Sequence, residues 1–135
     1  YGWFTYDRPL EVDQPMGTFL MVRRAVVEQV GLMDEAFPLF FNDVDWCYRI
    51  WQAGWKIMFV PEVVITHHGG ASTRQVRLSA IRESHRALEA FYRKHYRSRL
   101  PGWVYGAIIG LIRLSAWVRV AWARWRSAPA RPAAS

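Results

Sequence analysis

The side chains best equipped for chemistry sit close together in Leu39 to Trp55, LFFNDVDWCYRIWQAGW, which holds two carboxylates, two amides, an arginine and the chain's single thiol. Asn42 suits a helix N-cap, Asp43 and Asp45 fall in the first turn where acids complement the dipole, and Gly54 stands where a helix stops. The stretch therefore reads as a short helix. At about 100° per residue Val44, Cys47, Tyr48 and Trp51 share one face, and Asp45 precedes Arg49 by one helical turn, within reach of an ion pair. Asp43 points roughly opposite Asp45 and has no partner nearby in sequence. A carboxylate at an open helix mouth beneath an aromatic cluster can act as a general base once a substrate proton comes within hydrogen-bond reach. The alternative is that both acids only complement the dipole.

A second cluster is His67-His68-Gly69-Gly70, which follows the β-branched run Val63 to Thr66. Side chains at such a strand end commonly project into a cleft, a neutral imidazole there can coordinate a divalent cation, and the glycines let a phosphate approach the backbone. Adjacent strand residues face opposite ways, so one histidine of the pair is expected to serve the site. The alternative is an ordinary turn whose histidines bond to nearby carbonyls.

These groups need elements to position them. Tyr1 to Pro15, broken by Pro9 and Pro15, reads as a loop or extended lead-in, and Gly17 to Val22 as a continuous apolar strand buried on both faces. Ala25 to Val30 forms a short helix stopped by Gly31, and in the following turn Asp34 caps local amides before Pro38. Trp55 to Val60 and Val63 to Thr66 read as short strands parted by Pro61. From Val76 to Tyr96 the spacing of Leu78, Ile81, His85, Leu88 and Tyr92 predicts an amphipathic basic helix. A second, more apolar helix is expected over Trp103 to Arg126, with arginines at 113, 119, 124 and 126, before the disordered tail SAPARPAAS.

At 135 residues, 52% hydrophobic and 16% aromatic, the chain can build the core of one domain. Its single cysteine excludes an internal disulfide and a cysteine metal cluster. The opening lacks a signal peptide and an initiator Met, so the chain is expected to begin inside a longer protein. The net charge of +7 is divided: residues 1–70 carry five Lys/Arg against nine Asp/Glu, and residues 71–135 carry thirteen against two. Such a split suggests a catalytic or binding piece followed by one that meets an anionic surface. The arginines are interleaved with large apolar side chains at helical spacing, which calls for a buried or membrane-facing surface and argues against nucleic acid. Trp103 to Ile112 is uncharged over only ten residues, so surface attachment is expected in preference to spanning.

The order GTFLMVRR, VGLMDEAF, FFNDVDWCYR, GWKIMFVP, HHGGAST resembles the C-terminal half of family 2 glycosyltransferases, the inverting GT-A enzymes, including the rhamnosyltransferase-like members. The resemblance spans about Val12 to Arg74 and continues more weakly to YRKHY. It implies an α/β fold in which the chain supplies the C-terminal part of a GT-A sandwich, followed by C-terminal helices. The family's acidic motif falls on Asn42-Asp43-Val44-Asp45 and its catalytic base on Asp43; Asn42 stands where Glu is common, removing one charge beside the base. Gly17, Asn42, Asp45 and Trp46 fall near the donor sugar and acceptor, and the family's metal-associated histidine falls on His67. The resemblance thus implies a nucleotide-sugar donor, a hydroxyl acceptor such as a lipid-linked saccharide, and a Mg²⁺ or Mn²⁺ cofactor. The nucleotide-binding half with its Asp-x-Asp metal motif is not in the sequence, so the chain by itself is expected to be inactive.

Four parts follow: residues 1–74 as the acceptor-side half, 75–99 as a basic helix packing on it, 100–127 as a membrane-associated helix, and 128–135 as the tail. The expected setting is the cytoplasmic face of the plasma membrane, in the synthesis of bacterial surface polysaccharide or glycolipid. The competing readings are a non-catalytic basic module for membrane or nucleic acid, and an inactive glycosyltransferase-like platform.

Overall fold

The computed structural model describes residues 5–67 and 77–127. They belong to two compact units that divide between Gly69 and Gly70. His68, Gly69, Gly70 and the tail at 128–135 lie outside the described residues.

In the first unit the order is β1 (Leu10–Glu11), α1 (Arg24–Val30), α2 (Asn42–Gln52) and β2 (Met58–Phe59). Part of the lead-in forms β1, which pairs antiparallel with β2 in the register Leu10 to Phe59 and Glu11 to Met58. The Val12 N–H extends the ladder to the Ile57 carbonyl at 2.9 Å. Gly17 to Val22 and Val63 to Thr66, both expected as strands, have no ladder partner among the described residues and are irregular. An apolar run becomes a strand only when a neighbour takes its backbone groups. The pleat is still legible in packing: Leu20 and Val22 lie against the core, while Met21 between them is 87% exposed.

That core is Val26 of α1 with Trp46 and Ile50 of α2, joined by Val27, Val30, Trp55 and Ile57. The buried face of α2 runs through Trp46, Cys47 and Ile50, while Trp51, on the face shared with Val44, Cys47 and Tyr48, is exposed. The helix is closed by a Schellman motif, with the Trp55 N–H donating to the Ile50 carbonyl at 3.2 Å and the Gly54 N–H to the Trp51 carbonyl at 2.9 Å. Gly54 has φ +85°, which explains glycine at this position. Trp55, held by that turn, packs on the core containing Ile50. At the other end the N-cap is Phe41, in the left-handed region at φ 67°, and not Asn42, which is the first helical residue. In the turn before α2, the Ala36 N–H donates to Asp34 Oδ1 at 2.9 Å, as the sequence predicts.

The second unit is a helical hairpin of α3 (Arg77–Tyr96) and α4 (Gly102–Ser127). The last helix does not project alone; α3 covers one face of it. Burial on α3 centres on His85, Ala87, Phe91 and His95, one position away from the expected Leu88 and Tyr92 stripe, and meets Ile109, Ile112 and Ala123 of α4. His85 is accommodated because its Nδ1–H donates to the Ile81 carbonyl at 2.7 Å. Arg113 of α4 grips Glu89 of α3 with two hydrogen bonds, Nε at 3.1 Å and a terminal nitrogen at 2.6 Å.

Candidate active site

The open end of α2 gathers the first unit's chemistry. The α2 backbone aims its first N–H groups at side chains of the same turn: Asn42 Oδ1 accepts from the Asp43 N–H and Asp43 Oδ1 from the Val44 N–H, each at 2.8 Å. Asp43 also has distant partners that its own neighbourhood in sequence does not reveal. Its Oδ2 accepts from the Gly17 N–H at 2.8 Å and from Gln14 Nε2 at 3.1 Å. Three N–H donors thus fix the carboxylate plane. A carboxylate offers about four lone-pair positions; one on Oδ1 and two on Oδ2 are taken, which leaves the second position of Oδ1 for a ligand proton.

The approach of Gly17 is close enough to demand glycine. A Cβ added there would stand 2.9 Å from Asp43 Cβ and 3.1 Å from Oδ2. Any side chain would therefore displace the carboxylate or the 14–17 loop. Phe41, immediately before the helix, adds a second mark of constraint, because a left-handed bulky residue persists only where its surroundings hold it.

The two acids of the motif have separate tasks. Asp45 is fully buried and accepts from Arg49 Nε at 2.9 Å. The other guanidinium nitrogens of Arg49 donate to the Val30 carbonyl at 2.6 Å and the Leu32 carbonyl at 2.7 Å. The Trp46 indole N–H donates to the Gly31 carbonyl between them at 2.9 Å. Three consecutive carbonyls at the end of α1 are thereby pinned to α2. Asp45 and Trp46 support the site from beneath, whereas Asp43 and Asn42 stand half-buried at its mouth. Cys47 is sealed below them: burial, aided by the Asp43 charge, pushes its thiol up to about 11, so it is no nucleophile at neutral pH.

His67 is exposed at the end of the described first unit. No group of three or more His, Cys, Asp or Glu among the described residues could hold a metal ion. His67 by itself, among the described residues, does not make a cation site. Gln14 and Phe41 escape sequence reasoning. Gln14 belongs to no motif and sits between Asp13 and Pro15 in the lead-in, and a positive φ at phenylalanine has no compositional signal.

An acid at a helix mouth, held by backbone and amide donors over a glycine, has a geometry that a general base can use. Comparison with known proteins supplies the class. Residues 6–97 match the family model described as "Glycosyltransferase like family 2". The chain belongs to this family, and membership implies a GT-A fold. Two curated relatives, from two strains of Mycobacterium tuberculosis, are each called N-acetylglucosaminyl-diphospho-decaprenol L-rhamnosyltransferase. Each is 33% identical over 87 residues, which is 64% of this chain and 27% of the relative. The chain thus spans about a quarter of the length of the curated relatives it matches. No solved structure matches it significantly.

Proposed function

We propose that these residues form the acceptor-side part of an inverting glycosyltransferase, which moves a sugar from a nucleotide-sugar to a hydroxyl acceptor with Asp43 as general base. The observation that carries this reading is the three-donor clamp on Asp43 above Gly17, which gives Oδ2 two donors and Oδ1 only the Val44 N–H. In the reaction the acceptor hydroxyl donates to Asp43 Oδ1 and passes its proton there as its oxygen attacks the anomeric carbon. The bond from that carbon to the nucleoside diphosphate breaks on the opposite face, so configuration inverts. Oδ2 does not compete for the proton, because Gly17 and Gln14 occupy it.

Asn42 extends the acceptor contact. Its Oδ1 is committed to the Asp43 N–H, which aims the amide Nδ2 away from the helix, where it can donate to a second acceptor oxygen. Asp45, Arg49 and Trp46 keep this mouth rigid against the end of α1. The names of the relatives support an acceptor class, a hydroxyl of a saccharide carried on a polyprenyl diphosphate; such an acceptor fits a place at the inner face of the membrane in bacterial surface glycan synthesis.

The test is sugar transfer by the complete protein across a panel of nucleotide-sugars, with Asp43→Asn assayed beside it. The substitution keeps the shape and removes the base. Turnover is expected to fall about 10²-fold or more with donor binding nearly intact. Unchanged turnover would remove Asp43 from the role. Silence of the wild type with every donor would favour a glycosyltransferase-like platform without activity.

A further inference from the structure

The α4 helix carries far more apolar surface than α3 covers. Its inward residues Ile109, Ile112 and Ala123 are at most 9% exposed, whereas Trp103, Leu111, Leu114, Trp117, Trp122 and Trp125 are between 49% and 80% exposed. At about 100° per residue these six fall within a sector of roughly 140°, nearly opposite the face that meets α3. Arg119 and Arg126 border one edge of this sector and Arg113 and Arg124 the other, all exposed. The helix contains no acidic residue. At one edge the Arg126 guanidinium lies 4.3 Å from the centre of the Trp122 ring, cation over aromatic face.

We propose that α4 docks on an anionic phospholipid bilayer, lying in the membrane plane with its tryptophan stripe in the headgroup boundary and its two rows of arginines on lipid phosphates. This rests on the reading that the acceptor is membrane-borne, and it names the element that brings the enzyme there. The charge pattern selects the occupant: an apolar stripe flanked on both sides by arginines, of which Arg119, Arg124 and Arg126 are left for lipid while Arg113 also pairs with Glu89, complements an anionic interface, where indole rings settle at headgroup level. Gly102–Arg126 is also long and apolar enough to cross a membrane. Crossing is opposed by the hairpin itself. Arg113 is tied to Glu89, and α3 packs along α4 with Arg82, Arg86, Arg93 and Lys94 exposed, so a spanning α4 would carry those charges into hydrocarbon. Lying flat buries one face of α4 and leaves α3 in water.

The complete protein is mixed with vesicles of phosphatidylcholine containing phosphatidylglycerol, and with phosphatidylcholine alone, and sedimented. Binding is expected only to the anionic vesicles. The pair Trp117→Ala and Trp125→Ala is expected to abolish it, and Arg119→Gln and Arg124→Gln to weaken it roughly fivefold each. All four positions are exposed, so helix content by circular dichroism should be unchanged. Lipids brominated at shallow and deep chain positions then report depth. Quenching of the wild-type tryptophans by shallow bromines supports the inference, and their strongest quenching by deep bromines overturns it in favour of a span. Vesicle binding that survives every substitution overturns the docking role of α4 while leaving a membrane-borne acceptor standing. Self-association lost in the tryptophan variants, without vesicle binding, assigns the stripe to a second copy and overturns it too. Sugar transfer to a water-soluble acceptor separates the two readings: the variants are expected to keep it, and its absence in a wild type that binds vesicles through α4 refutes the proposed reaction alone.

Discussion

Gly17→Ala tests the site through a single methyl group. The new Cβ would lie 2.9 Å from Asp43 Cβ and 3.3 Å from Cγ. Non-bonded carbons settle at about 3.5–4.0 Å, so one side must retreat by roughly 0.6–1 Å. Asp43 cannot retreat easily, because its helix is locked by Arg49 to the Val30 and Leu32 carbonyls and by Trp46 to the Gly31 carbonyl. The 14–17 loop must move or the carboxylate must rotate, and either breaks the 2.8 Å bond from the Gly17 N–H. A hydrogen bond to a charged group contributes about 1.5–3 kcal/mol, and a displacement of about 1 Å in catalytic geometry can cost about 10²-fold. The expected result is a kcat lower by about 10- to 100-fold, with the donor KM nearly unchanged and stability lower by about 1–3 kcal/mol. The assay is steady-state sugar transfer by the complete protein at a temperature where thermal unfolding shows the variant folded, with the exposed neighbour Thr18→Ala as control. A folded Gly17→Ala enzyme with wild-type kcat would refute the claim that this close approach sets the base.

Two further outcomes concern the layer beneath the site. Arg49→Met leaves the fully buried Asp45 carboxylate without its cation and releases two carbonyls, so chemical denaturation should show a loss of about 3–5 kcal/mol; a loss under 1 kcal/mol would show that the pair is dispensable. Cys47 gives a pH signature: its thiol is raised from 9.0 to about 11, so the folded state keeps a proton that the unfolded state has released within that window. Its contribution is complete below pH 9.0 and fades as pH climbs towards about 11, so the wild type should lose stability relative to Cys47→Ala over that range, and parallel pH profiles would contradict the assignment.

The helices were legible because their signals are local. Asp43, Asp45 and Gly54 mark α2, Gly31 ends α1, and the Asp45 to Arg49 pair follows from one helical turn of separation. The strands were less so, since a ladder is a property of two segments: Leu10–Glu11, in a proline-flanked lead-in, pairs with β2, while the more strand-like Gly17 to Val22 finds no partner among the described residues. The same limit applies at the site. Asp43 looked unpartnered in sequence because its donors, Gln14 and Gly17, lie 29 and 26 residues away. The wheel groups Val44, Cys47, Tyr48 and Trp51 on one face but does not say which face is buried; the core takes Trp46 and Ile50, and the Trp46 indole also reaches the Gly31 carbonyl.

The separation of Asp43 from Asp45 shows why a motif of two acids spaced by one residue suits this site. Adjacent-but-one positions on a helix point about 200° apart, so one carboxylate can be buried as structure while the other faces ligand. Asp45 spends its charge on Arg49, and Arg49 spends its remaining donors on the carbonyls that end α1. The α2 mouth is thereby fixed to a turn nearby in the fold, independent of substrate. Asp43 is fixed by the opposite strategy, through donors from the 14–17 loop that hold its orientation and leave one oxygen position open. Exchanging the two roles is physically impossible without rebuilding the core: a base at position 45 would be out of reach of any substrate, and an ion pair at 43 would fill the site it is meant to serve.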